Sequence, residues 1–137
     1  MADQPHAAQA PAIVVPVTLD TLVSLRHEVG AVARHAGFGD PQAYQFVTAV
    51  NEIVINAIEH GTPPIHVAIS ARHGTVTVDV RDEGPGLPRE PAPDELPPSD
   101  QTHGRGLWIA RRLCDELTFH ASGAGATVRL RATARPQ

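Results

Sequence analysis

Two short segments constrain this chain more than anything else in it. Ile65, Val67 and Ile69 alternate with less apolar residues, and after His73-Gly74 the residues Val76, Val78 and Val80 repeat the pattern. Period-two alternation places each set on one side of a strand. Two such runs around a glycine-bearing turn predict an antiparallel hairpin with one buried face. A one-sided sheet needs a cover, and the flanking segments have helical spacing. Leu22, Leu25, Val29 and Val32 recur in that way up to Gly37, with Asp20 expected to cap a helix beginning at Thr21. Gly39-Asp40-Pro41 predicts a second start, with Asp40 as cap and Pro41 in the first turn. Phe46, Val47, Val50, Ile53, Val54, Ala57 and Ile58 give that helix a broad apolar face, and Gly61 closes it before Pro63-Pro64. The β-rich run 13–19 carries Pro16, which suits an edge strand. A third helix is predicted over 104–117. Thr118-Phe119-His120 and the run 127–131 predict a closing hairpin around Ser122-Gly123. This order predicts an α+β, two-layer α/β sandwich: a mixed, mostly antiparallel sheet covered on one face by helices.

The length of 137 residues fits one domain, expected over 13–133, with a disordered lead at 1–12 and a tail at 134–137. Aromatic residues make up only 4 % of the chain, so the core must be built from Val, Ile, Leu and Ala. The net charge of −4, without a basic block, argues against non-specific nucleic-acid binding, which needs a field of Lys and Arg. The single cysteine, Cys114, excludes an internal disulfide and fits a reducing, cytoplasmic setting. No apolar run reaches the ~18–20 residues of a membrane span, and the N-terminus lacks the pattern of a signal peptide. The eight histidines are scattered without paired ligand spacing, which argues against a zinc site.

Three motifs carry chemistry. Glu52 and Asn56 stand four apart on the second helix and therefore share a face, beside Ile53 and Ala57. A carboxylate and an amide among apolar neighbours need partners. The Asn56 amide oxygen is a hard ligand suited to Mg²⁺, and Glu52 is placed to take a proton from a group attacking a phosphate. The bland alternative is a helix with two solvated polar residues. Asp82-Glu83-Gly84-Pro85-Gly86 follows a strand; its glycines let backbone approach a ligand, and Asp82 can accept from an exocyclic amine such as that of adenine. Alone, it is equally a Gly-Pro turn. Gly104-Arg105-Gly106-Leu107 opens the third helix, where free N–H groups, the helix dipole and Arg105 favour an anion. Alone, it is equally a flexible helix entry. Between the last two motifs, the stretch 82–103 contains six prolines and no apolar periodicity; so long a loop in a compact domain is functional or mobile.

In this order and spacing, the three motifs resemble the GHKL ATPase superfamily of histidine kinases, type II topoisomerases and mismatch-repair ATPases. Over 14–131, a short chain without upstream histidine-bearing helices is most similar to the bacterial anti-sigma-factor serine/threonine kinases. The resemblance implies the Bergerat fold and Mg-ATP as ligand. It implies that Asn56 holds the metal, Glu52 is the catalytic base and Asp82 reads the adenine amino group. Gly84 and Gly86 would shape the pocket. Gly104, Arg105, Gly106 and Leu107 would form the phosphate turn, and residues 87–103 the ATP lid. Thr127 matches a threonine that supports the adenine-binding Asp. It further implies a homodimer acting on a sigma factor and an anti-anti-sigma partner to control transcription. The proline-rich lid keeps a second expectation in play: an ATP-gated protein-binding module without significant kinase activity.

Overall fold

The computed structural model describes residues 13–85, 103–123 and 125–136. Five strands form one sheet: β1 (Ile13–Val17), β2 (Ile65–Arg72), β3 (Thr75–Asp82), β4 (Glu116–Ser122) and β5 (Gly125–Thr133). Their spatial order is β1-β2-β3-β5-β4, and every pairing is antiparallel. The mixed sheet expected from the sequence is thus antiparallel throughout its described pairings. Pro16 sits in β1 at the sheet edge, where strands tolerate a proline. The β2–β3 turn is His73-Gly74, with φ of 52° and 80°. Two consecutive positive φ values give the tight turn whose twist matches that of its strands.

Three helices cover one face: α1 (Leu22–His35), α2 (Asp40–His60) and α3 (His103–Leu113). The alternating residues of the hairpin point into this layer. Val67, Ile69, Val76, Val78 and Val80 are essentially inaccessible, as are Leu130 on β5, Val29 on α1, and Phe46, Ile53 and Val54 on α2. The Phe38 and Phe46 rings meet edge to face at 5.9 Å, the geometry that their quadrupoles favour. The opposite face of the sheet is polar. There Arg129 donates to both carboxylate oxygens of Asp79, at 2.7 and 2.9 Å.

Several helix boundaries differ from expectation. Asp20 lies inside a short 3₁₀ turn, Leu19–Thr21, and does not cap α1. The turn is closed instead by the Thr18 N–H donating to the Thr21 hydroxyl at 3.0 Å. Gly39, with extended backbone, is the cap of α2, and Asp40 is already helical; its carboxylate accepts from Arg34 at 3.2 Å. The third helix stops at Leu113 rather than 117, and Leu117 is a buried residue of β4. An apolar residue at helical spacing reads the same whether a helix or a following strand delivers it to the core.

The one buried polar side chain in the described core, Gln42, anchors the end of the sheet to α2. Its amide donates to the Thr133 carbonyl at 2.8 Å, and its carbonyl accepts from the Arg135 N–H at 3.0 Å. Both halves of the amide are satisfied, as burial demands.

Two outcomes follow from this packing. Phe46→Ala removes a fully buried ring and is expected to cost about 3–5 kcal/mol in urea unfolding, with no change in the fold. Burial pushes the Cys114 thiol up from 9.0 to about 11, because the thiolate would be desolvated. The folded state keeps this proton where the unfolded chain has lost it. Its contribution is therefore full below about pH 9 and is lost as pH rises toward about 11. The native protein should resist a thiol reagent at mildly alkaline pH that labels the urea-unfolded chain. Cys114→Ala should flatten the fall of the urea midpoint across that pH window.

Candidate functional site

Helix α2 presents Glu52 and Asn56 half-buried on the side where α3 begins. Its opposite side is fixed in the core by Phe46, Val50, Ile53 and Val54. The first turn of α3 lies directly on the two polar residues. A Cβ added to Gly106 would sit 3.0 Å from Glu52 Oε1 and 3.4–3.5 Å from the Asn56 amide atoms. Gly106 is itself buried, so the absence of a side chain is what allows this approach. Among the described residues, neither the Glu52 carboxylate nor the Asn56 side-chain amide has a hydrogen-bond partner. A half-buried carboxylate and amide left in this state, under a helix start whose first N–H groups have no intrahelical carbonyl, form a donor set that suits a metal–phosphate group.

Asp82 ends β3 a short distance along the same side of the fold. Its Oδ1 accepts from the Gly84 N–H at 2.7 Å and from the Thr62 N–H at 3.2 Å. The Glu83 N–H donates to the Thr62 carbonyl at 2.8 Å, so the α2–β2 connector is laced to the end of β3. Asp82 Oδ2 has no partner among the described residues and remains free to accept from a ligand. The backbone around this carboxylate is tight. A Cβ on Gly84 would lie 2.8 Å from Thr62 Oγ1 and 2.9 Å from Asp82 Oδ1. One on Gly61 would lie 2.6 Å from the Ala57 carbonyl and 2.9 Å from Asp82 Cγ. Gly61 has extended backbone, so it is required by close approach and not by a left-handed turn.

The structure thus brings together Glu52, Asn56 and Gly106, and holds Asp82 with Gly84. Leu107 is half-buried against the core and anchors the start of α3. Gly104 and Arg105 lie in the first turn of α3, and the Arg105 side chain falls outside the described residues. Gly86 and residues 87–102 of the expected lid fall outside the described residues, and His103, the last of that span, is the first residue of α3. Thr127 is misplaced for its expected role. The register pairs Arg81 with Thr127, and Asp82 with Ala126. Cross-strand partners share a face, so Thr127 points to the polar side of the sheet, away from Asp82. The support comes from backbone N–H groups instead. Sequence reasoning missed Thr62 because a peptide group leaves no mark in residue identity. It also missed the Arg26 guanidinium, which donates to Asn51 Oδ1 at 3.1 Å and ties α1 to α2 next to Glu52.

Comparison with known proteins shows the family and the fold. The family profile described as histidine kinase-like ATPase domain matches residues 15–132, and the chain belongs to that family of ATP-binding domains. The RsbU and RsbW domains of Rv1364c from Mycobacterium tuberculosis superpose with a TM-score of 0.65 at 24 % identity, over 93 % of this chain and 34 % of that one. A blue-light activated histidine kinase from Erythrobacter litoralis matches its histidine kinase domain with a TM-score of 0.55 at 21 % identity, over 87 % of this chain and 61 % of that one. The chain thus spans about a third of the first of these and under two thirds of the second. No curated protein matches the chain. Among the described residues, no helix is long and apolar enough to cross a membrane.

Trp108 offers a readout. It is the only tryptophan and lies half-buried two residues beyond Gly106, with the Arg112 guanidinium 4.8 Å above its ring. Its indole N–H is buried without a partner among the described residues. Adding Mg-ATP is expected to shift its emission, and Asn56→Ala is expected to abolish that shift. An unchanged spectrum with bound nucleotide would show that α3 does not respond to occupancy.

Proposed function

We propose that this domain binds Mg-ATP and transfers the γ-phosphoryl group to a serine of an anti-anti-sigma partner, while itself sequestering a sigma factor. The observation that carries the reading is the unpartnered carboxylate of Glu52, set beside Asn56 beneath the start of α3. In this reading Asn56 holds the metal, which supplies charge neutralisation at the phosphates. The first turn of α3 cradles the phosphate oxygens with N–H groups. Asp82 Oδ2 accepts from the adenine amino group.

Glu52 then has one task. The serine oxygen attacks the γ-phosphorus and the bond to the β–γ bridging oxygen breaks. ADP departs with that electron pair, and the serine proton passes to a Glu52 oxygen. The serine acceptor, the sigma-factor partner and the homodimer are supported by the sequence resemblance. The likeness to a chain containing an RsbW domain is in keeping with them at the level of fold.

The test uses purified protein, Mg²⁺ and γ-labelled ATP, with a lysate of the source cells. A small protein carrying acid-stable label is expected. Glu52→Ala should lower the rate by at least about 100-fold, the usual scale for a lost general base, while ATP affinity stays within about threefold. Equal transfer by that variant would remove Glu52 from the mechanism. Bound ATP without transfer would favour a nucleotide-gated binding module, and an acid-labile label would place the phosphate on histidine.

A further inference from the structure

Asp82 poses a problem of orientation. A carboxylate at a strand end turns freely about its side-chain bonds, and a turning acceptor reads an exocyclic amine poorly. The strand opposite supplies no side-chain donor: its residue in register is Ala126, and Thr127 faces the other side of the sheet. The restraint comes from the end of α2. Gly61 caps that helix, its N–H donating to the Ala57 carbonyl at 2.8 Å. The next peptide N–H, that of Thr62, donates to Asp82 Oδ1, and the Thr62 carbonyl takes the Glu83 N–H. With the Gly84 N–H as second donor, Oδ1 is occupied twice and Oδ2 alone is left for a ligand.

We infer that Gly61 and Thr62 are positioning residues of the purine subsite, fixing through the Thr62 peptide N–H which oxygen of Asp82 meets the 6-amino group. The inference rests on the ATP reading and deepens it. Thr62 acts by its backbone, so its side chain is not the relevant group. Gly61 acts by being absent: a Cβ there would press on Asp82 Cγ at 2.9 Å and on Oδ2 at 3.0 Å. The connector leaves the same helix that carries Glu52 and Asn56. Base recognition and phosphate chemistry are therefore referenced to one rigid rod.

The test separates positioning from general damage by comparing two ligands. Purine riboside triphosphate is ATP without its 6-amino group. Wild type should prefer ATP by about tenfold or more, as a hydrogen bond to a charged acceptor allows. Thr62→Pro deletes the N–H, and the extended backbone of Gly61 is what a residue before proline adopts. Gly61→Ala presses both on the Ala57 carbonyl at 2.6 Å and on the carboxylate, so the Thr62 peptide N–H and Asp82 are moved out of register. In both variants titration calorimetry should show the preference falling toward one, with affinity for purine riboside triphosphate kept within about threefold. Retention of the wild-type preference by a folded variant overturns the inference, and so does parallel loss of both ligands. If the proline abolishes the thermal unfolding transition, Gly61→Ala carries the test alone. Wild type that binds neither nucleotide overturns the ATP reading itself, and wild type that binds both equally overturns the contact between Asp82 and the amine and with it the inference.

Discussion

The burial of one side of α2 is the constraint on which the rest depends. Phe46, Val50, Ile53 and Val54 lock it into the core against β3 and β5. Full burial of a large side chain contributes about 1.5–3 kcal/mol, so a rotation of this helix would forfeit several such contributions together. Its rotation being fixed, the position of every residue on the other side is fixed too. Glu52 and Asn56 face the start of α3 because Ile53 and Val54 face the sheet. The apolar pattern is in this sense the device that aims the polar pair.

The polar half of the site is built by close backbone approach more than by side chains. Gly106 lets α3 rest on Glu52, and Gly61 lets the end of α2 reach Asp82. At Gly125 the chain adopts φ +142°, and a Cβ would meet the Asp82 carbonyl at 2.6 Å. Close approach of this kind brings peptide N–H groups within hydrogen-bonding distance of the Asp82 carboxylate. It also makes the site intolerant of added bulk at these positions, in contrast with the polar open face of the sheet. The exposed ion pair there, Arg131–Glu116, contributes little to stability.

Much of this was legible in the residues. The hairpin 65–72/75–82 followed from alternation and a Gly-bearing turn, because a strand's period of two has no competitor when one face is buried. Glu52 and Asn56 were found by helical spacing on a helix long enough to be unambiguous. Boundaries were less legible. Asp40 looked like a cap by type, yet the extended residue is Gly39, and a cap is defined by backbone dihedrals that composition only biases. Thr127 lies on the face opposite Asp82: sequence does not specify the register of β5 against β3, and one residue of shift reverses the face. Thr62 was invisible for a deeper reason, since its contribution is a peptide N–H that every residue but proline carries.

That last point bears on how such a site holds its specificity. Were Asp82 oriented by a side-chain hydroxyl, a single substitution could release it. Held by two peptide N–H groups, it is insulated from substitution at Thr62 by any residue but proline, and otherwise exposed only to changes that move backbone. The Thr62 peptide is in turn held by the end of α2, whose last turn is closed by the Gly61 N–H. A helix terminus does not slide along its axis without breaking its own ladder of bonds, each with a desolvation cost of about 1–3 kcal/mol if left unmet. The distance from Asp82 to Asn56 is therefore set by a piece of regular helix and one turn of connector. In the ATP reading, that distance has to match the separation between an adenine amine and a phosphate-bound metal. A ruler made of helix keeps it constant while the protein surface around it is free to change.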